Sequence, residues 1–390
     1  MPKHRPKTPW ILLLATLFFC THAIRAQEKS FPKPTIIPLE SYGIPKGLFS
    51  VDRPFLCFHD HPAGTRLFWL DTTHVFVAFT TSRPCTRRAD TEPLALRALV
   101  LDISGDTSGK NTATRTWTLG DTFGIFPGPN HSVIVKQGSR LDMLNEHLQT
   151  TESGELSEKP KGLWVTSRRR TIPLLSADGH NFEFYSTDPL KQVSTIALDS
   201  TSEVNAVKEW IPGDERVAGS LCHDKSVFQK SVFTCAKILV LTAETNFLKP
   251  DGEPWSYEEK DKPVWLQPVG FLDATHLVIA RQEKGLFKSM QMFIVRPNGS
   301  KSPLPAIGSL DPSRIVGATE DGSRFGMEFT APGNCEDCIS AKIFTVTEPD
   351  SHEFLFEKEA TPYLSQGELS PDGKWMAILD NGAITLYPMP

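Results

Sequence analysis

The sequence predicts an all-β fold: a β-propeller of about seven four-stranded blades, with the ring closed by a strand from the N-terminal part of the chain. Turn–strand units recur at intervals of about 50 residues, the length of one four-stranded blade. The 31 Pro and 26 Gly residues are spread along the chain, as expected for many short strands joined by turns. A chain of 390 residues exceeds one ordinary domain unless that domain is a barrel or a propeller.

The repeat is clearest in two segments that stand 202 positions apart. Residues 70–78 read LDTTHVFVA and residues 272–280 read LDATHLVIA. In both segments Asp and Thr mark a turn, and the apolar run after them marks a strand. Five related units begin the other blades, at residues 129–135, 178–184, 214–218, 321–327 and 372–378.

The intervals between these units are uneven. Position 214 follows position 178 by 36 residues, and position 273 follows position 214 by 59 residues. Six or eight blades are therefore also compatible with the pattern. The last unit is a strand short, because the chain ends soon after residues 383–387. Residues 35–39 (TIIPL) are expected to supply the missing strand, and Pro38 suits an edge position there.

The final unit carries a recognisable motif. Residues 370–377 read SPDGKWMA, in which Pro sets the turn entry, Asp bonds the turn backbone and Gly permits a positive φ. This motif resembles the Ser-Pro-Asp-Gly-Lys repeat of TolB-type and tryptophan–aspartate-type β-propellers, and residues 178–181 and 321–324 match it in part. The resemblance implies a propeller fold and an extracytoplasmic role. It carries no catalytic residues, since the motif is a turn.

The N-terminal segment predicts export. Residues 1–26 contain the basic residues Lys3, Arg5 and Lys7, an apolar run over residues 10–19 and the small residue Ala26 at a cleavage position. The apolar run is too short to span a membrane. The expected organisation is therefore a signal peptide over 1–26 and one propeller domain over 27–390, in a secreted or periplasmic protein. A cut at Ala23 and an uncleaved anchor are the alternatives.

Charge limits the partners. Loss of Lys3, Arg5, Lys7 and Arg25 with the signal peptide moves the formal net charge from −5 to about −9. An acidic surface repels phosphate backbones, so nucleic acid is not an expected partner. A protein, peptide or glycan ligand is expected for a monomer with no transmembrane segment in its mature part.

Six cysteines remain after cleavage, and an even number in an exported protein predicts disulfides. They are Cys57, Cys85, Cys222, Cys235, Cys335 and Cys338. Fifteen connectivities are possible, and closeness in sequence favours the pairs 57–85, 222–235 and 335–338. Redox activity at Cys335 and Cys338 is the alternative to a structural bridge there.

The densest group of candidate metal ligands is His59, Asp60 and His61. In an extended segment His59 and His61 point to the same side, so both imidazoles can reach one metal ion. Cys222-His223-Asp224 echoes this group, and the alternative for both is a polar loop beside a disulfide. His74 and His276, in contrast, occupy equivalent repeat positions. Both are expected to be structural, with imidazoles bonded to a neighbouring strand.

Two functions follow from these observations. The first is an exported propeller that binds a ligand on one face of the ring, with no cofactor predicted. The alternative is an extracytoplasmic propeller enzyme of hydrolase or lactonase type, with a polar or metal site at the central channel. Its first candidates are His59, Asp60, His61, His223 and Asp224. The sequence contains no Gly-x-Ser-x-Gly, His-Glu-x-x-His or phosphate-binding glycine motif.

Overall fold

A computed structural model describes most of the predicted propeller domain. The described residues are 33–44, 66–80, 95–104, 110–118, 123–156, 160, 162–163, 171–198, 207–213, 215–227, 230–242, 256–259, 264–273, 275–283, 290–305, 311–319, 322–330, 339–347, 351–359, 366–380 and 382–389. The predicted signal peptide, residues 1–26, lies outside them. No helix in this part of the chain is long and apolar enough to cross a membrane.

The described residues form 28 strands and one 3-10 helix, Leu39–Tyr42, and the strands make up seven blades. The first strand, β1 (Thr35–Pro38), belongs to the last blade. Blade 1 consists of β2 (Arg66–Trp69), β3 (His74–Thr80), β4 (Ala95–Asp102) and β5 (Lys110–Thr118). Blade 2 consists of β6 (Gly124–Pro127), β7 (Val133–Gln137), β8 (Arg140–Leu144) and β9 (Thr150–Glu155). Blade 3 consists of β10 (Gly162–Leu163), β11 (Thr171–Leu175), β12 (Asn181–Thr187) and β13 (Leu190–Ala197).

The remaining blades follow in chain order. Blade 4 consists of β14 (Val207–Gly213), β15 (Arg216–Val227), β16 (Lys230–Thr242) and β17 (Ser256–Glu258). Blade 5 consists of β18 (Val264–Phe271), β19 (Leu277–Glu283), β20 (Gln291–Val295) and β21 (Lys301–Pro303). Blade 6 consists of β22 (Asp311–Ala318), β23 (Arg324–Thr330), β24 (Ile339–Thr347) and β25 (Ser351–Glu359). Blade 7 consists of β26 (Gln366–Leu369), β27 (Trp375–Asp380), β28 (Ala383–Pro388) and β1.

Apolar clusters between neighbouring blades hold the ring together. Seven clusters of buried side chains occur in the described residues, and each lies at a different one of the seven blade boundaries. In β3, Val75 and Val77 pack toward blade 7, whereas Phe76 and Ala78 pack toward blade 2. Both faces of this sheet are covered, which is why its strands read as continuous apolar runs. The clusters confirm the predicted propeller with seven blades.

The N-terminal strand closes the ring, as predicted. β1 pairs antiparallel with β28 in a register that places Thr35 opposite Leu386 and Pro38 opposite Ala383. Ile37 of this strand is fully buried in the cluster between blades 7 and 1, together with Trp69 of β2. The last blade therefore takes its outer strand from the other end of the chain.

Blades 4 and 5 are joined within one continuous sheet. A single parallel bridge pairs Cys235 of β16 with Trp265 of β18, and β17 pairs with β16 beside it. The same region contains the disulfide Cys222–Cys235, which links β15 to β16. This pairing is the one expected from sequence closeness. Cys57, Cys85, Cys335 and Cys338 lie outside the described residues.

Blade 3 explains the short interval in the repeat. In the other six blades the recurrent turn joins the first and second strands, but here it joins β11 to β12. In blade 3 the backbone N–H of Leu198 donates to the carbonyl oxygen of His180. In blade 7 the N–H of Met389 makes the same bond to the carbonyl oxygen of Lys374. Strands β11–β13 therefore correspond to strands β26–β28. Among the described residues no strand lies between β13 and β14. The next turn therefore comes early.

Candidate binding surface

The seven recurrent turns occupy equivalent positions and therefore lie at one end of the ring. We call this surface the turn end; its turns fall at residues 70–74, 127–133, 175–181, 213–216, 271–277, 318–324 and 369–375. Neighbouring strands in a blade run antiparallel, so the turn joining β8 to β9 in blade 2 (residues 145–149) reaches the same end.

Two turns use the Ser-x-Asp-Gly pattern. In blade 7 the Ser370 hydroxyl donates to Asp372 Oδ1 at 2.7 Å, and the Trp375 N–H donates to the Ser370 hydroxyl at 2.9 Å. Gly373 adopts φ +68°, which favours glycine. Blade 3 repeats the arrangement with Ser176, Asp178 and Gly179. Side-chain bonds to the turn backbone thus fix these turns locally.

Two other turns use the Asp-x-Thr-His pattern, in the two segments whose sequences match. Asp71 Oδ1 accepts the backbone N–H groups of Thr73 at 2.6 Å and His74 at 2.7 Å, and its Oδ2 lies 2.8 Å from His74 Nδ1. Asp273 makes the same three contacts with Thr275 and His276. Burial works to raise the pKa of each aspartate, but the hydrogen bonds together outweigh burial and lower it.

His74 and His276 are structural, as expected, but the expected partner was wrong. Each imidazole bonds the aspartate of its own turn, rather than a neighbouring strand. The physical reason is spacing: three residues separate Asp from His, so the turn that brings the backbone N–H groups onto Oδ1 also places the ring against Oδ2.

Contacts between turns cross the blade boundaries. His131 of blade 2 places Nδ1 2.7 Å from Asp71 Oδ2 of blade 1. Arg324 of blade 6 donates from Nη1 to the carbonyl oxygen of Gly373 in blade 7, at 2.9 Å. These contacts join turns that are already fixed internally, so the turn end presents its side chains from a rigid support.

Histidine is concentrated on this surface. Five histidine side chains are described, and all five lie at the turn end: His74, His131, His147, His180 and His276. The side chains of His131 and His147 are 57% and 60% exposed, and that of Lys374 is 74% exposed. The surface can therefore offer imidazole and ammonium groups to a ligand.

The predicted metal group remains a prediction. His59, Asp60 and His61 lie outside the described residues, and His223 and Asp224 lie on β15 with side chains that are not described. Within the described part of the chain, no group of three or more His, Cys, Asp or Glu side chains is arranged to bind a metal ion.

A buried ionic cluster crosses the boundary between blades 4 and 5. Glu259 accepts hydrogen bonds from Arg281 Nε at 2.7 Å, Lys301 Nζ at 2.9 Å and the Tyr257 hydroxyl at 2.9 Å. Burial works to raise the pKa of Glu259, but hydrogen bonds from Arg281, Lys301 and Tyr257 and the charge of Arg281 lower it to about 2. The sequence offers no clear signal for this cluster, since its members come from three strands and a loop.

Charged side chains also occur on the inner strands. Glu368 of β26 accepts the backbone N–H of Trp69 at 2.7 Å, and Arg314 of β22 donates to Glu328 of β23 at 2.9 Å. Burial lowers the pKa of Arg66 on β2, and the charge of Arg314 lowers it further. The positive charges of Arg66 in blade 1 and Arg314 in blade 6 therefore repel each other.

A groove of about 490 Å³ opens between the outer parts of blades 2 and 3. Its lining residues are Leu141, Gly154, Glu155, Leu156, Tyr185, Leu190, Lys191 and Gln192. Burial raises the pKa of Tyr185 to about 12, with the Glu183 carboxylate adding to the effect. The groove lies away from the turn end. Glu155 stands at the last position of β9 and Leu190 at the first position of β13, and both of these strand ends are far from the turn end.

No protein-family model and no curated protein sequence matches the chain. Among solved structures, the Neurospora crassa Pan2 WD40 domain is 9% identical, with 91% of this chain and 94% of that chain covered and a TM-score of 0.45. The Myceliophteria thermophila Cps50 (Swd1) β-propeller domain is 9% identical, with 84% and 96% covered and a TM-score of 0.46. The Toxoplasma gondii coronin WD40 domain is 7% identical, with 82% and 79% covered and a TM-score of 0.46. The fold assignment itself depends on the strand pairing and core clusters of this chain.

Proposed function

We propose that this chain is an exported binding propeller whose turn end engages a protein, peptide or glycan ligand. The observation that carries the proposal is the rigid presentation of exposed polar side chains. Turns bonded internally by Asp71 and Asp372 are joined to turns of neighbouring blades by His131 and Arg324. A surface that is ordered before binding loses little conformational entropy when a ligand arrives.

Export is supported by the N-terminal pattern and by cysteine usage. Residues 1–26 combine a basic start, a short apolar run and a small residue at the cleavage position. The disulfide Cys222–Cys235 suits an oxidising compartment. The proposed location is the periplasm or the extracellular medium.

The export step is tested by expressing the full chain in a host with a secretory pathway and sequencing the N-terminus of the exported protein. We expect a mature chain that begins near Gln27. A protein that stays in the cytoplasm with residues 1–26 attached would contradict export, and it would leave the binding proposal to be judged separately.

Ligand binding is tested with the labelled mature protein on peptide and glycan arrays. The turn-end variant combines His147→Ala, His180→Ala and Lys374→Ala, three exposed residues of the turns in blades 2, 3 and 7. The matched control is Lys191→Ala, an exposed lysine of the outer groove. We expect the turn-end variant to lose about tenfold in affinity for the best array ligand while the control keeps it. Equal affinities in all three proteins would rule out the turn end as the binding surface.

A further inference from the structure

Lys301 places its ammonium group between two aromatic rings and a carboxylate. Its Nζ lies 4.7 Å from the centre of the Phe293 ring and 5.6 Å from the centre of the Tyr257 ring. It also donates to Glu259 Oε1 at 2.9 Å. Both ring distances fall within the range of a cation–π contact. We call the group formed by Tyr257, Phe293 and Glu259 the aromatic cage, since all three contact one and the same cation.

The aromatic cage favours positive charge. Glu259 stays ionised, because its pKa is lowered to about 2. Burial works to lower the pKa of Lys301, but its interactions with Tyr257 and Glu259 outweigh burial and raise it. The attraction of an aromatic face depends on the charge of the cation and not on an N–H donor. The surroundings of the Lys301 ammonium therefore also suit a cation that has no N–H group.

Lys301 is the replaceable member of this cluster. Its side chain is 41% exposed and comes from β21, the outermost strand of blade 5. A lysine side chain is a flexible four-carbon stem, and an ion pair with an exposed partner contributes little stability. When Lys301 turns outward, the Glu259 carboxylate still accepts hydrogen bonds from Arg281 and Tyr257. The buried carboxylate therefore keeps partners while the place of the ammonium is opened.

We propose that a small quaternary ammonium compound binds in the aromatic cage, in the place of the Lys301 ammonium. Aromatic rings are the groups with which proteins recognise quaternary ammonium ligands, and a carboxylate beside them balances the charge. Lys301 then closes the site in the protein without ligand and competes with the ligand for it. None of the four residues belongs to the seven recurrent turns, so this site goes beyond the proposed function.

Displacement of Lys301 is tested in the unaltered mature protein. The probe is the tetramethylammonium ion, titrated while the NMR signals of the lysine side chains are recorded. Signals of the Lys301 methylene groups next to Nζ are expected to move, because these groups leave the faces of Phe293 and Tyr257. Signals of Lys191, in the outer groove, should stay in place. tert-Butanol, which is neutral and similar in size, should move neither set. Lys301 signals that ignore the probe, or that tert-butanol moves equally, would rule the site out.

Variants of Lys301 test the competition. Lys301→Ala should bind tetramethylammonium about tenfold more tightly than the wild type, because no side chain then competes for the aromatic cage. Lys301→Met is the matched control. It removes the same charge, but its unbranched side chain still fills the space between the rings. A gain that is equal in both variants would mean that only the loss of positive charge matters, and it would refute the proposed competition.

The aromatic contribution is tested by Phe293→Leu in the Lys301→Ala background, since leucine keeps an apolar side chain but removes the ring face. The double variant should lose most of the tenfold gain. Undiminished binding would show that the probe does not use the aromatic cage. The turn-end variant should bind the probe as the wild type does. The two proposals can therefore fail separately: array ligands that ignore the turn-end variant defeat the proposed function, and the results above decide the aromatic cage.

Discussion

At each of two blade boundaries, one carboxylate contacts polar side chains of both blades. Asp71 joins blades 1 and 2 through His74 of its own blade and His131 of the next. Glu259 joins blades 4 and 5 through Tyr257 of its own blade and two cations of the next, Arg281 and Lys301. The geometry is similar, but the donors differ.

The difference lies in whether the partners keep their charge. Arg281 is 5% exposed and carries its charge at any physiological pH, so the boundary between blades 4 and 5 is joined permanently. His131 is 57% exposed, and its contact with Asp71 is an ion pair only if the imidazole is protonated. The boundary between blades 4 and 5 is built for stability, whereas the boundary between blades 1 and 2 places an exposed imidazole on the surface.

The largest expected effect follows removal of the buried carboxylate. Glu259→Ala leaves Arg281 buried without its main partner, which should lower the free energy of unfolding by about 3–5 kcal/mol. Urea denaturation of the mature protein measures the loss. Glu258→Ala, on the exposed neighbouring residue of β17, is the control and should change stability by less than about 0.5 kcal/mol. Similar losses in both variants would mean that Glu259 does not join the boundary.

The stability that Glu259 contributes to the same boundary is expected to be lost at acidic pH. The pKa of Glu259 is lowered from 4.5 to about 2 in the folded protein, so the unfolded state binds a proton first as the pH falls. The stabilisation is therefore complete above pH 4.5 and is lost as the pH falls toward 2. The stability difference between the wild type and Glu259→Gln should shrink across this range. A constant difference would show that the carboxylate is not held ionised.

The sequence predicts the two regions unequally. The blade number and the closing strand follow from local chemistry, because each turn repeats Asp, Gly, Ser or Thr within a few residues. The contact between His131 and Asp71 could not be predicted, since it depends on how two blades pack. The cluster at Glu259 was hidden for a similar reason: Arg281 and Lys301 stand on different strands and look like ordinary surface residues in sequence. Local hydrogen bonds repeat and can be recognised, whereas contacts across blade boundaries exist only in the closed ring.

A smaller loss of stability is expected when the aspartate of either matching turn is removed, and the two losses should differ. Asp71→Ala and Asp273→Ala each remove the acceptor of two backbone N–H groups and one imidazole, and each should cost about 1–3 kcal/mol. Thermal unfolding should show the larger loss for Asp71→Ala, because among the described residues only this aspartate also lies within 2.7 Å of a histidine of the next blade. Equal losses would mean that the contact with His131 adds no stability.

The smallest expected effect comes from exchanging residues between the two copies. His131→Gly loses one exposed contact but relieves a positive φ, so the two terms should cancel to within about 1 kcal/mol. In the second copy, Gly322 has φ +69°, and a Cβ built there would lie 3.8 Å from Asp273 Oδ2. Gly322→His should therefore place an imidazole beside Asp273 at a backbone cost of about 1 kcal/mol. Nitrogen chemical shifts of the imidazoles report both exchanges: His74 should change in His131→Gly, and His276 should change in Gly322→His. If His276 does not respond, proximity to the aspartate is not enough to orient a histidine at the boundary. The consecutive positive φ values of Asn130 and His131 are then the feature that orients the ring in blade 2.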